Sequence, residues 1–317
     1  MKFKHTFQVF IDNFATTYKL LLYKLIVTLI TVGLCCAIIL PILSNITGTA
    51  EYISLRDSVI ALWNSFINLE TNLLHDKLTA CRSALDTFLT MLGTKTGTFV
   101  LCAVLLLVVY LINRFLSGIG TYTTGSLIND RMALRTNSAF IYTMTKNLGK
   151  ASLFSVIYVP VCFAYDLVCA LICFGIFTIS PLLIKIFALA VLLIVFSALK
   201  NTFVCDWLPS IIHGKMTNGQ AISYAISRTG KKTAHIFSNL LVIQVIIVAL
   251  NMAAFLLTFG AGLLITLPAS YIILNCFQFV NYYDGNAIRY FLDENTIVGP
   301  ERDRPLTREE FFRGEEE

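Results

Sequence analysis

Asp166 is the one carboxylate inside an otherwise apolar run, VPVCFAYDLVCALICFGIF at 159–177. A charge at mid-bilayer costs upward of about 2.5 kcal/mol, so such a residue is a functional candidate by default. Three kinds of chemistry are open to it. A desolvated carboxyl can hold a proton, pair with a cation, or sit in a wet cavity that takes an ion or a polar solute. Lys185, four residues after Pro181, is a cation inside the next apolar run. At about 1.5 Å per residue from the turn between the runs, Asp166 lies roughly 16 Å deep and Lys185 about 6 Å. A long side chain narrows that gap without having to close it, and Lys185 can equally snorkel outward.

The last two apolar runs add polar residues at helical spacing. Gln244 and Asn251 are seven apart and share a face; Tyr271, Asn275, Gln278 and Tyr282 step by 4, 3 and 4. Together they would make a polar seam facing Asp166. Interhelical hydrogen bonds average only about 0.6 kcal/mol, so the seam is either structural glue or a site for an ion, proton or polar substrate. Pro160, six residues before Asp166, can kink its helix and free a carbonyl, which favours the second.

Other chemistry is thin. His5, His75, His213 and His235 are scattered, without the spacing of a zinc site. Gly118, Gly120 and Gly125 precede no phosphate-binding GK[ST]. The loop CDWLPSIIHG holds Asp206, Ser210 and His213, the residue types of a hydrolase, but such sites are recognised by geometry rather than proximity in sequence. The expectation is a protein that is not an enzyme, with no cofactor, no metal and no nucleic-acid partner.

The elements that must hold these residues are membrane helices. Of the 317 residues, 56% are hydrophobic and 14% charged, and mean hydropathy is +0.75, against about 25% charged residues in a soluble domain. Runs of about 20 apolar residues span a bilayer as helices. Six occur, at 24–44, 97–117, 152–177, 181–200, 238–259 and 261–281. Of the 24 Lys and Arg, 19 lie in 1–24, 113–151, 200–237 and 282–317; the others are Arg56, Lys77, Arg82, Lys95 and Lys185. By the positive-inside rule both termini are cytoplasmic and the location is a bacterial cell membrane. The N-terminal MKFKHTFQVFIDNF lacks the form of a removable signal, so the first span reads as a retained anchor. The nine cysteines offer no disulfide framework.

A unit recurs. QVFIDNFATTYK (8–19), SAFIYTMTKNLGK (138–150) and QAISYAISRTGKK (220–232) each carry an apolar helical face and then lysine just before a span. The spacing predicts amphipathic elbow helices in 1–23, 118–151 and 201–237. Each elbow either orients the next span or recruits lipid through its bases. Lys19, Arg131, Lys150, Lys215, Lys231 and Lys232 are the candidate contacts to anionic inner-leaflet headgroups. The fold class is therefore all-α: six transmembrane helices as three hairpins, each preceded by a cytoplasmic amphipathic elbow, with a helical extracytoplasmic insertion at 45–96. Residues 51–92 lack Gly and Pro and form either a bent helix or two, with the break near Asn72 to His75. Their apolar stripe packs on the membrane, folds as a hairpin or pairs with a protein partner, a second copy included. The charged tail 282–317 reads as extended or disordered, with Phe311 and Phe312 available to dock a partner.

The stretches TTGSLINDRMALRTNSAFIYTMTKNLGKASL and WLPSIIHGKMTNGQAISYAISRTGKKTAHIFSNLL resemble the YesL-like multi-pass membrane proteins of Firmicutes over about residues 98–283. The resemblance implies a multi-pass bacterial protein, an accessory to sugar uptake, and transfers no catalytic residues. Three functions follow as expectations: a non-enzymatic transport-accessory or membrane-organising component, a transporter using the seam around Asp166, or a membrane enzyme acting on lipid.

Overall fold

Backbone N–H and C=O groups in hydrocarbon must pair within the chain, and the apolar runs meet that demand as helices. The computed structural model describes residues 2–68, 71–179, 182–293, 295–299 and 306–307, without the side chains of 71–74, 179, 182–187, 229–232 and 306–307. Its helices are α1 (Lys2–Asp12), α2 (Ala15–Thr47), α3 (Ala50–Ile67), α4 (Thr71–Thr94), α5 (Thr96–Leu134), α6 (Phe140–Lys146), α7 (Leu148–Ile179), α8 (Leu182–Val204), α9 (Trp207–Ile212), α10 (Asn218–Thr258) and α11 (Leu263–Gly285). Six helical segments are long and apolar enough to cross a membrane: α2, α5, α7, α8 with α9, α10 and α11. The protein is an all-α polytopic membrane protein, and two compact units compose it, residues 1–26 with 114–317 and residues 27–113.

Within the larger unit α11 is the hub. Its apolar window is 56% buried, against 6% for that of α2, so it is sheathed by protein rather than lipid. It packs on α1, α9 and α10, and every residue from Asn275 to Tyr283 is buried. The basic end of α5 is enclosed in the same way. That helix continues 17 residues past the predicted end of its span, and Tyr122 to Ile128 are all buried. Gly125 permits this: a Cβ there would lie 2.8 Å from Leu208 and 3.2 Å from the Phe279 ring.

Three predicted features differ from what forms. The first elbow, α1, turns most of its apolar face onto the protein, with Ile11 left exposed. Phe3, Phe7 and Phe10 pack on the protein core, and Val9 is 1% exposed. The third elbow is continuous with its span as the opening turns of α10, started by a Thr217–Gln220 capping box. The second is the separate seven-residue α6. The tail, expected to be extended or disordered, begins with an antiparallel sheet of β1 (Tyr290–Phe291), β2 (Thr296–Val298) and β3 (Leu306–Thr307) in that order. Tyr290, Leu292 and Ile297 are each 1% exposed. Burial of these few apolar side chains offsets the ordering of a segment whose composition is otherwise charged. Phe311 and Phe312 lie outside the described residues.

In the unit 27–113, α3 and α4 form an antiparallel hairpin, as the ring contact between Tyr52 and Phe88 requires. The break comes just after Asn68, which caps α3, a few residues before the predicted position. Thr49 starts α3 by accepting the Tyr52 N–H at 3.3 Å.

Two polar latches hold α1 in the larger unit. Asp12 accepts from Arg131 Nε at 2.8 Å and from Arg135 Nη1 at 2.6 Å, with second bonds to its other oxygen. Arg131, predicted to contact lipid headgroups, is therefore an internal clamp. At the other end of α1, His5 Nδ1 lies 3.1 Å from the Tyr290 hydroxyl, which donates to Asp284 at 2.8 Å. Burial, the larger influence, lowers the His5 pKa below 6.5 despite the Asp284 carboxylate, and burial raises the Tyr290 phenol.

Asp12→Ala leaves two partly buried guanidinium groups unpaired and is expected to destabilise the larger unit by about 2 kcal/mol, read as a lower melting temperature and faster hydrogen exchange in α1. Because the folded chain binds fewer protons at His5 than the unfolded chain, stability from the neutral ring is complete above pH 6.5. It is lost as pH falls through the lowered folded value. A melting temperature that drops between pH 7.5 and 5.5, and drops less in His5→Gln, is the expected result.

Candidate functional site

Asp166 is paired, but with cations other than the predicted one. Lys200 Nζ donates to both of its oxygens, at 2.9 and 3.1 Å, and Arg114 stands 3.7 Å away. The side chain of Lys185 lies outside the described residues. The choice of Lys200 follows from hairpin geometry. Side chains on a helix tilt toward its N-terminus, so on α8 they lean back toward the turn that joins it to α7. A lysine rooted about five residues, or roughly 7 Å, beyond the level of Asp166 thus reaches back to it. A second tie in the hairpin is the Tyr165 hydroxyl, which donates to the Phe196 carbonyl at 2.9 Å.

The pair braces one wall of a cavity of about 320 Å³ in the larger unit. Lys200 and Arg114 line it, and so do five of the six predicted seam residues, Gln244, Asn251, Tyr271, Asn275 and Gln278; the sixth, Tyr282, is buried elsewhere, against His213 and Tyr224. From Gln278 to Leu267 it follows α11 for about 16 Å. Part of the seam is internally satisfied. Gln244 donates to Ser197 at 2.7 Å, and Asn251 donates to Ser270 at 3.2 Å while its own carbonyl oxygen is buried without a partner. The Tyr271 ring is capped by the Lys24 ammonium, 3.4 Å from its centroid.

Asn275 and Gln278 are different. They are 5% and 8% exposed and line the cavity, and among the described residues their amides take no hydrogen bond. Trp207, 4% exposed and also in the wall, has an indole N–H without a partner. A buried, unpaired group such as the Trp207 N–H costs about 1–3 kcal/mol, whereas the Asn275 and Gln278 amides stay accessible from the cavity. Lys200 came from sequence only as a boundary residue; the backward lean of helical side chains is the signal that could have found it. Ser197, Asn201 and Trp207 carried no signal beyond lying on or near the same helix.

The loop residues typical of a hydrolase do not assemble. Ser210 Oγ donates to the Asp206 carbonyl at 2.5 Å. Asp206 is fully buried, accepts from Asn281 at 3.0 Å and pairs with Arg228 at 3.4 Å. His213 Nδ1 faces the Tyr283 hydroxyl at 2.8 Å and Asn129 at 3.2 Å, its pKa lowered first by burial and then by Lys215. Of the remaining headgroup candidates, Lys19, Lys150 and Lys215 are exposed; the side chains of Lys231 and Lys232 lie outside the described residues.

No family model matches the chain, and no curated protein or solved structure proves similar to it.

The ion pair has a measurable signature. Lys200→Met leaves the carboxylate with Arg114 alone and is expected to destabilise the detergent-purified protein by about 2–3 kcal/mol. Adding Asp166→Asn is expected to restore more than half of that, because the single change strands a charge and the double change removes both.

Proposed function

We propose that the protein is a non-enzymatic membrane transport component that holds a small polar solute bearing an anionic group in the cavity beside Asp166. The carrying observation is that the Asn275 and Gln278 amides, without a hydrogen bond among the described residues, line the same cavity as Lys200 and Arg114. A seam serving only as glue would be closed on itself, and here two of its members face open space. Two cations against one carboxylate leave excess positive charge for an acidic group, while amides and the Trp207 N–H suit hydroxyl and carbonyl groups. The volume is near the lower end for small-molecule sites. Asp166 acts on the ligand indirectly, by fixing the Lys200 ammonium at the wall.

The basic ends of the helices, read as cytoplasmic by the Lys and Arg bias, are where Gln278 and Lys200 lie, so the site is reached from that side. The expectation of an accessory role in uptake is compatible with a bound solute.

Melting-temperature screening of the purified chain against small solutes, matched with and without a carboxylate or phosphate, is expected to find stabilisers only among the anionic members. Proteoliposome uptake of the best stabiliser is expected to fall at least about tenfold, the loss of one charge-assisted hydrogen bond, in Asp166→Asn and Gln278→Leu. Equal stabilisation by the uncharged members, or variants that bind as the parent does, would count against the assignment.

A further inference from the structure

A second cavity, of about 520 Å³, shares no lining residue with the first and is built from α5, α6, the start of α7 and the segment between α9 and α10. Lys146, Lys150 and Lys215 line it with a single acid, Asp130. All three lysines are exposed. Among the described residues none of them lies within ion-pair distance of a carboxylate. Protein atoms therefore leave a net positive charge in a concave site.

The lining changes character along one face of α7. Lys150 gives way to Leu153 and Ile157 at steps of three and four, and Leu153 is 58% exposed. Ligand atoms at one end would meet ammonium groups and at the other a hydrocarbon wall. Asn218 contributes a buried side-chain oxygen without a partner, an acceptor for a hydroxyl. Three lysines against one carboxylate select a phosphate over a neutral headgroup, and the apolar end selects a phosphate with a chain attached.

We propose that this cavity binds a phosphate anion, carried as the headgroup of an anionic phospholipid whose chain lies along Leu153 and Ile157. The site is independent of the solute cavity, and its test does not involve uptake.

Full-length protein in detergent is titrated calorimetrically with short-chain phosphatidylglycerol, with the matching phosphatidylcholine and with inorganic phosphate. The expected result is a preference for phosphatidylglycerol of at least about fivefold, what one lysine beside an anionic headgroup supplies. The triple variant Lys146→Gln, Lys150→Gln, Lys215→Gln is expected to lose the preference while melting at the parent temperature. If that variant melts early, Lys150→Glu alone is read instead and should lose the preference too. Inorganic phosphate that binds the parent and not the variant would support the anion site and overturn the lipid as its source. A parent without preference for either phosphate, or variants that keep it, overturns the proposal.

Discussion

A carboxylate removed from water needs a counter-charge beside it, and three such carboxylates organise the basic half of this protein. Asp12 is gripped by Arg131 and Arg135, Asp166 by Lys200 with Arg114 nearby, and Asp206 by Arg228 and Asn281. Each ties together elements distant in sequence: α1 to the end of α5, α7 to α8 and α5, and the end of α8 to α10 and α11. In low dielectric an unpaired partner is far more damaging than the pair is stabilising. These contacts therefore specify which helices meet more than they add net stability.

Around that framework α11 is the element everything else covers. Its buried stretch from Asn275 to Tyr283 mixes Phe277, Phe279 and Val280 with Asn275, Gln278 and Asn281. The apolar members fill the core. Asn281 is consumed by Lys2 and Asp206, while Asn275 and Gln278 are left facing the cavity. One helix thus separates structural polarity from polarity available to a ligand, and the difference lies in what stands opposite each side chain.

Some of this was legible in advance. The polar seam follows from helical spacing alone, and five of its six members, Gln244, Asn251, Tyr271, Asn275 and Gln278, line the cavity, while Tyr282 does not. Arg131 was misread because basic residues beside a span usually face headgroups, and Asp12, 119 positions away, redirects it inward. The short sheet in the tail was not read because composition averages over a window, whereas Tyr290, Leu292 and Ile297 act singly by being buried. Lys200 was overlooked because depth estimates treat side chains as lying level with their own backbone, and a helical lysine leans back by more than a turn.

By itself the sequence determined that the chain belongs in a membrane, with six helices long and apolar enough to cross it and most of its bases in one alternate set of the segments between them. These are local properties: hydrocarbon forces each run to satisfy its own backbone, and that demand needs no knowledge of neighbours. Tertiary structure alone decided which cation holds Asp166, that Arg131 clamps α1 rather than touching lipid, and which amides remain unpaired at a cavity wall. Those outcomes depend on distances of 3–4 Å between side chains far apart in the sequence, fixed only when α11 is sheathed by the helices around it.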